Sequence, residues 1–269
     1  MSAARELNAW IEGIGVLGPG LDDWPRTAAV LRGESSYVPA RCALPVPSAL
    51  PAAERRRTGA AVRVALAVAT AACEAAQRAP SSLATVFAAS GGDGDNCHTI
   101  CEVLATSERF ISPTRFHNSV HNAPAGYWSI AAQAMPPSTS LAVYDASFAA
   151  GLLEAVVQLQ ASGQPRLLVA YDAGYPAPLH EKRPILDAFG LALVLAPVRT
   201  EHAIARIGVA LGGDAAHRCD KPALEEVRQS NPAARGLPLL AAIARASNGS
   251  VILDYLAPPQ LIVRCEPAA

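Results

Sequence analysis

Two pairs of side chains have the types and spacing of a metal site. Cys97 and Cys101 stand i, i+4 apart, and so do His117 and His121. On helices each pair would share one face, and four soft or borderline donors could hold zinc tetrahedrally. The spacing C-x3-C is looser than the C-x2-C knuckle, and the histidines sit in an Asn-, His- and Pro-rich segment, Phe116–Gly126, that need not be helical. Free cysteines are commonly small buried hydrophobes, which is the simpler reading of the set. A Gly-rich stretch, Ala89–Asp95, follows a strand-like run as a phosphate loop would. It fits neither G-x-x-x-x-G-K-[ST] nor G-x-G-x-x-G, and Asp93 and Asp95 would repel a pyrophosphate; it reads as a tight turn. Ser147 lies where a nucleophile elbow would put a serine, between a strand and a helix, but its flanks Asp145 and Ala149 depart from G-x-S-x-G. Capping of the helix by Asp145 or Ser147 explains both residue types without a partner base. A serine acyltransferase or hydrolase, with His117 or His121 as base, is the enzymatic alternative.

The elements that must position these residues alternate between strand and helix. Ala9–Val16 reads as a strand closed by the turn signal Gly18-Pro19-Gly20, and Asp22–Leu31 as a helix capped by Asp22 or Asp23. Residues 34–53 carry four prolines and read as an irregular connection lying against the body. Arg57–Arg78 predicts one long helix, apolar around its circumference and therefore buried between layers. Thr85–Ala89, Ser140–Tyr144, Arg166–Tyr171, Leu191–Leu195 and Ile204–Leu211 read as strands, and Ser147–Ser162 as a helix stopped by Gly163. After a polar stretch at 214–232 come one helix, Leu237–Ala246, and two strands, Val251–Tyr255 and Gln260–Arg264. Strands alternating with helices, several apolar enough to be covered on both faces, point to a layered α/β protein. With no repeat and no boundary signal, residues 1–269 read as one domain.

Composition narrows the function classes. Hydrophobic residues make up 51% of the 269 positions and charged residues 17%, which supplies a large core and excludes a disordered chain. A net charge of −1 leaves no electrostatic footprint for nucleic acid or an anionic membrane. The arginine run Arg55–Arg57 is read more simply as a solvated helix start. The most apolar run, Gly59–Ala76, carries Arg63 and Glu74, so no membrane span is expected. MSAARELNAW has no hydrophobic leader, and the six cysteines are sparsely spaced, so free thiols in a reducing cytoplasm are expected.

In order along the chain, the segments resemble the N-terminal half of the β-ketoacyl synthases, condensing enzymes of the thiolase fold. Ile11-Glu-Gly-Ile-Gly-Val-Leu-Gly-Pro19 resembles the family's first strand and turn. Glu54-Arg-Arg-Arg57 and the Ala-rich run after it resemble the first long buried helix, and Ala88-Ala-Ser-Gly-Gly92 the strand and glycine turn ahead of the dimer region. Ile111-Ser-Pro113, Asn122-Ala-Pro-Ala-Gly126 and Ser129-Ile-Ala131 resemble the family's I-S-P and N-x-x-A-G…S-I-A segments. Ala188–Pro197 and Ile204–Gly212 resemble the strand pair that ends this half. The resemblance implies a thiolase-like layered αβαβα architecture, truncated in its C-terminal half, with no cofactor.

The departures carry the functional expectation. A ketosynthase puts a nucleophilic cysteine at the N-terminus of a buried helix, where the dipole lowers its pKa. The matching position here is Asp145, counting forward from Gly126, or Ala146, counting back from Gly163. The family's two catalytic histidines belong to a C-terminal half that is largely absent, and His217 lies in no H-G-T-G-T-like context. A condensing-enzyme-like chain without these groups resembles the chain-length factors, inactive partners of true ketosynthases, and most closely the truncated ones of bacterial aryl polyene (xanthomonadin-like) pathways. The resemblance implies a full-length ketosynthase and an acyl carrier protein as partners. It makes Arg115, Phe116, Asn122, Tyr127 and Trp128 the candidate partner or pocket residues, with the Arg115–Phe116 stretch reaching toward the partner's acyl pocket. Thiolase-fold subunits pair their sheets edge to edge. Leu141–Tyr144 and Leu167–Tyr171 contain no lysine or glutamate to blunt such an edge.

Overall fold

The computed structural model describes residues 6–213, 215–256 and 258–268. Strand β1 (Leu7–Leu17) is buried along most of its length. Helix α1 (Trp24–Arg32) follows, its N-terminus capped by Asp23, whose Oδ1 accepts from the Arg26 amide at 2.7 Å. The proline-rich residues 34–51 form no regular element.

The long helix expected over 57–78 is α3 (Ala60–Ala75), shorter at both ends, and a separate single turn, α2 (Ala52–Arg55), precedes it. Between them the Thr58 hydroxyl donates to the Arg55 carbonyl and Gly59 adopts an extended conformation at the α3 N-cap, which separates the two. Helix α3 lies directly on β1. A Cβ at Gly13 would run into the Ala72 carbonyl and one at Gly15 into the Val68 carbonyl, so only glycine permits this approach. Beside it Glu12, fully buried, accepts from Arg78 through two hydrogen bonds of 2.9 and 3.0 Å and from the Thr200 hydroxyl at 2.6 Å.

Strand β2 (Ala84–Ala88) leads through a glycine turn into α4 (Gly94–Leu104), α5 (Pro113–His117) and α6 (Ala123–Ala132). Then come β3 (Ser138–Leu141), α7 (Ser147–Ser162) and β4 (Arg166–Asp172). Gly163, with φ 66°, takes the left-handed conformation that ends α7. A short helix α8 (Leu179–Lys182) precedes β5 (Phe189–Ala196) and β6 (Ala205–Gly212). The stretch expected to be only polar, 214–232, holds α9 (Pro222–Ser230), which buries Leu224 and Val227 and is followed by a 3-10 turn, Pro232–Gly236. The chain then forms α10 (Leu237–Ala244) and the hairpin of β7 (Gly249–Leu253) and β8 (Gln260–Pro267).

The strands form one sheet in the order β3-β2-β4-β5-β1-β6-β8-β7. The β3-β2-β4 pairings are parallel and the others antiparallel. One face packs Leu168, Leu193 and Ile207 against α1, α7, α9 and α10. The other packs Phe87, Val169 and Val194 against α3 and α6. The expected layered α/β class holds, as one sheet between two helical layers. The edge expectation needs one correction. Leu167–Tyr171 is internal, paired on both sides, whereas β3 ends the sheet and pairs only with β2. Among the described residues, no helix is long and apolar enough to cross a membrane.

Candidate functional site

The turn from β3 into α7 is an elbow, and its strained residue is Tyr144. The strand ends at Leu141, earlier than its apolar pattern suggests, because Tyr144 turns left-handed with φ 50°. For a non-glycine residue that conformation costs about 1–3 kcal/mol and persists only when neighbours hold it. Ser147 is the holder: its hydroxyl donates to the Tyr144 carbonyl at 2.8 Å and accepts from the Val143 amide at 3.0 Å. Ser147 is buried at 1% exposure and committed to this turn, so it is neither the free nucleophile nor the helix cap that its position suggested. Ala146 occupies the N-cap position, and no side chain caps α7.

Asp145, expected as a cap of the helix, is partly exposed and points into an ion-pair network. It pairs with Arg183 at 2.9 Å and Arg235 at 3.1 Å. Arg235 continues to Asp254 at 3.4 Å, and Asp254 pairs with Arg228, which also binds Glu225 at 2.7 Å. These hydrogen bonds hold the Glu225 carboxyl down at about 2. The Arg183 guanidinium lies 3.6 Å from the centroid of the Tyr144 ring, a cation–π contact that covers the elbow residue. In front of it opens a cavity of about 590 Å³, walled by Tyr144, Asp145, Lys182, Arg183, Leu186 and α9 side chains, with no cysteine or histidine in its lining.

At the end of β4 lies Asp172. It is 5% exposed; its Oδ1 accepts from the Ser90 amide at 2.9 Å and the Ser90 hydroxyl at 2.6 Å, and its Oδ2 has no hydrogen-bond partner. Burial pushes its carboxyl up to about 7 against the opposing pull of the Ser90 hydrogen bonds. The sequence reading missed Tyr144, Asp172, Arg183 and Arg235. The available signal was an acid, Asp172, closing an otherwise apolar strand.

A second concave site lies between α5 and α6. A cavity of about 610 Å³ is lined by Phe116, His117, Val120, Asn122, Tyr127 and Ile130, with Pro113, Ala123 and Gly126. It brings together three of the expected pocket residues, Phe116, Asn122 and Tyr127. Phe116 is 70% exposed, and Phe110, Val120, Ile130 and Met135 on the same stretch are also exposed, which makes this part of the surface unusually apolar. Arg115 is not among the lining residues; its carbonyl accepts from Asn96 Nδ2 at 2.9 Å. Tyr127 reaches the hollow from the core, and Trp128 beside it is not among the lining residues. They are 2% and 3% exposed within the isolated chain, packed in the core beside α3, which leaves almost no side-chain surface for a partner. The Tyr127 hydroxyl donates to Asn118 Oδ1 at 3.0 Å.

The four candidate zinc ligands do not converge. Cys97 and Cys101 are exposed on α4, His117 ends α5 against the Tyr127 ring, and His121 lies in the turn before α6. Among the described residues, no three His, Cys, Asp or Glu side chains come together as metal ligands. The Gly-rich stretch serves as the turn into α4, whose N-cap is Asp93, with Oδ1 accepting from the Asn96 amide at 3.0 Å.

A family model described as "Beta-ketoacyl synthase, N-terminal domain" matches residues 28–252. Among solved structures, one chain of the complex of a ketosynthase with its chain length factor from Xenorhabdus doucetiae is 20% identical. The alignment covers 96% of this chain and 99% of that one at a TM-score of 0.72. A chain of the ishigamide ketosynthase/chain length factor is 11% identical over 97% of this chain and 100% of its own, with a TM-score of 0.74. A β-ketoacyl synthase from Burkholderia phymatum STM815 is 13% identical over 91% of this chain but 71% of its own, with a TM-score of 0.59. No curated protein matches the sequence. The likeness in structure is one of fold, the thiolase-like layered architecture.

Proposed function

Because the chain belongs to the β-ketoacyl synthase N-terminal-domain family, we propose that it is a non-catalytic, chain-length-factor-like subunit. In this reading it pairs with an active ketosynthase to elongate a carrier-protein-bound polyene of the aryl polyene type, and residues 1–269 act as one domain. The observation that carries the reading is the elbow. At the position the resemblance gives to the family's cysteine stands Asp145 or Ala146, next to Tyr144, which Ser147 holds left-handed and Arg183 covers. Neither these residues nor the lining of the cavity before them supplies a thiolate or an imidazole for decarboxylative condensation.

The partner-facing part of the reading rests on the unpaired β3 edge and the apolar hollow around Phe116. An edge strand with free backbone groups and an exposed apolar patch are what an obligate interface covers. Such an interface would bury upward of about 2,000 Å². Phe116 then projects toward the partner and limits the space for the growing chain. The test is reconstitution with malonyl carrier protein, a candidate ketosynthase and this chain, with products read by mass spectrometry. The reading expects elongation only when both subunits are present, and a shifted chain-length distribution with Phe116→Ala. Elongation by this chain alone, or products indifferent to both its presence and Phe116, would reject it.

A further inference from the structure

Cys97 and Cys101 are the two cysteines the proposed function leaves unused, and α4 holds them as a pair. Both are exposed, one helical turn apart on the same face, and the Cys97 thiol is pushed up by partial burial and by Cys101 beside it. On a regular helix, i, i+4 Cβ atoms lie about 5–6 Å apart. A disulfide needs Cβ atoms about 3.5–4.5 Å apart, so an intact α4 disfavours oxidation to an internal disulfide. Two metal–sulfur bonds laid end to end span about 4.6 Å if each is near the ~2.3 Å of a zinc thiolate. Thiol groups at the ends of these side chains reach that separation by rotation about χ1.

The ion that fits is chosen by what is missing around the pair. Zinc asks for four ligands, and the described residues bring no third His, Cys, Asp or Glu to these two. A soft cation satisfied by two thiolates is copper(I). We propose that Cys97 and Cys101 form a two-coordinate copper(I) site on the exposed face of α4. Binding is not a redox step: one copper(I) ion replaces the two thiol protons, which pass to solvent, giving a bis-thiolate complex. The other cysteines offer no competing site. Cys73 and Cys265 are buried, and burial pushes the half-buried Cys42 and Cys219 up to about 12.

The site is independent of the proposed function, and so is its test. The full chain would be titrated anaerobically with copper(I) against the chromophoric chelator bathocuproine disulfonate, alongside Cys97→Ser, Cys101→Ser and the double variant. Circular dichroism would check that each variant keeps its helix content. The expected result is one ion held per chain by the wild type, with at least tenfold weaker retention in each single variant and no specific retention in the double variant. Equal retention by wild type and double variant would overturn the site. So would a stoichiometry of one ion per two chains, or loss of binding with His117→Ala or His121→Ala.

Discussion

Asp172→Asn removes the titratable carboxyl at the end of β4 while keeping its shape. The asparagine Oδ1 can still accept from the Ser90 amide and hydroxyl, as Asp172 Oδ1 does. In the native chain burial raises the carboxyl from its ordinary 3.8 to about 7, so the folded state holds the proton more tightly than the unfolded state. This contribution to stability is fully present below the unfolded pKa and is lost as pH rises through the folded pKa. Each unit of pKa difference corresponds to about 1.4 kcal/mol. The whole window is therefore worth about 4 kcal/mol, of which about 2–3 kcal/mol falls between about pH 5 and pH 8. Urea denaturation of both proteins across that range, read by circular dichroism, isolates the term as the difference between them. The wild type should lose about 2–3 kcal/mol relative to the variant as pH rises. A difference that stays flat with pH would show that Asp172 is not held protonated by burial, and a difference of opposite slope would mean its ionised form is the stabilised one.

Three further substitutions separate the roles assigned above. Arg78→Ala leaves the Glu12 carboxylate buried without its charge partner, and chemical denaturation should report a loss of about 3–5 kcal/mol. Trp128→Ala empties a core position and should lower stability by about 3–5 kcal/mol, seen as a large fall in thermal midpoint. An unchanged midpoint with weakened partner binding would return Trp128 to the interface. Tyr144→Cys and Asp145→Cys should each leave decarboxylation of carrier-bound malonate at the wild-type level when the chain is assayed alone, since no histidine lines the cavity; a clear gain in either would refute the inert elbow.

How much of this was legible in the sequence depended on whether the deciding interaction was local. Strand β1, helix α7 and strand β4 announce themselves through apolar runs, and Gly163 marks the end of α7 by the left-handed turn it permits. The start of the helix within the 57–78 segment was hidden because its small apolar residues look alike on every side, while that start is set by Gly59 and the Thr58 hydroxyl. Helix α9 escaped notice because the burial of Arg228 depends on Glu225 and on Asp254, which lies in the segment leaving β7. Nothing in the type of Tyr144 signals a left-handed backbone; Ser147 and the distant Arg183 impose and cover it. Tyr127 and Trp128 drew attention as large aromatics beside a loop, and only tertiary packing under α3 decides that they are core.

The most direct test of the central claim is the mass of the particle this chain forms when co-expressed with a full-length ketosynthase, measured by light scattering after purification through a tag on one partner. The account predicts a one-to-one complex, and aggregates or a self-paired dimer when the chain is expressed alone, because the β3 edge and the Phe116 hollow are then uncovered. A stable, well-behaved monomer that binds none of the ketosynthases offered to it would contradict the account.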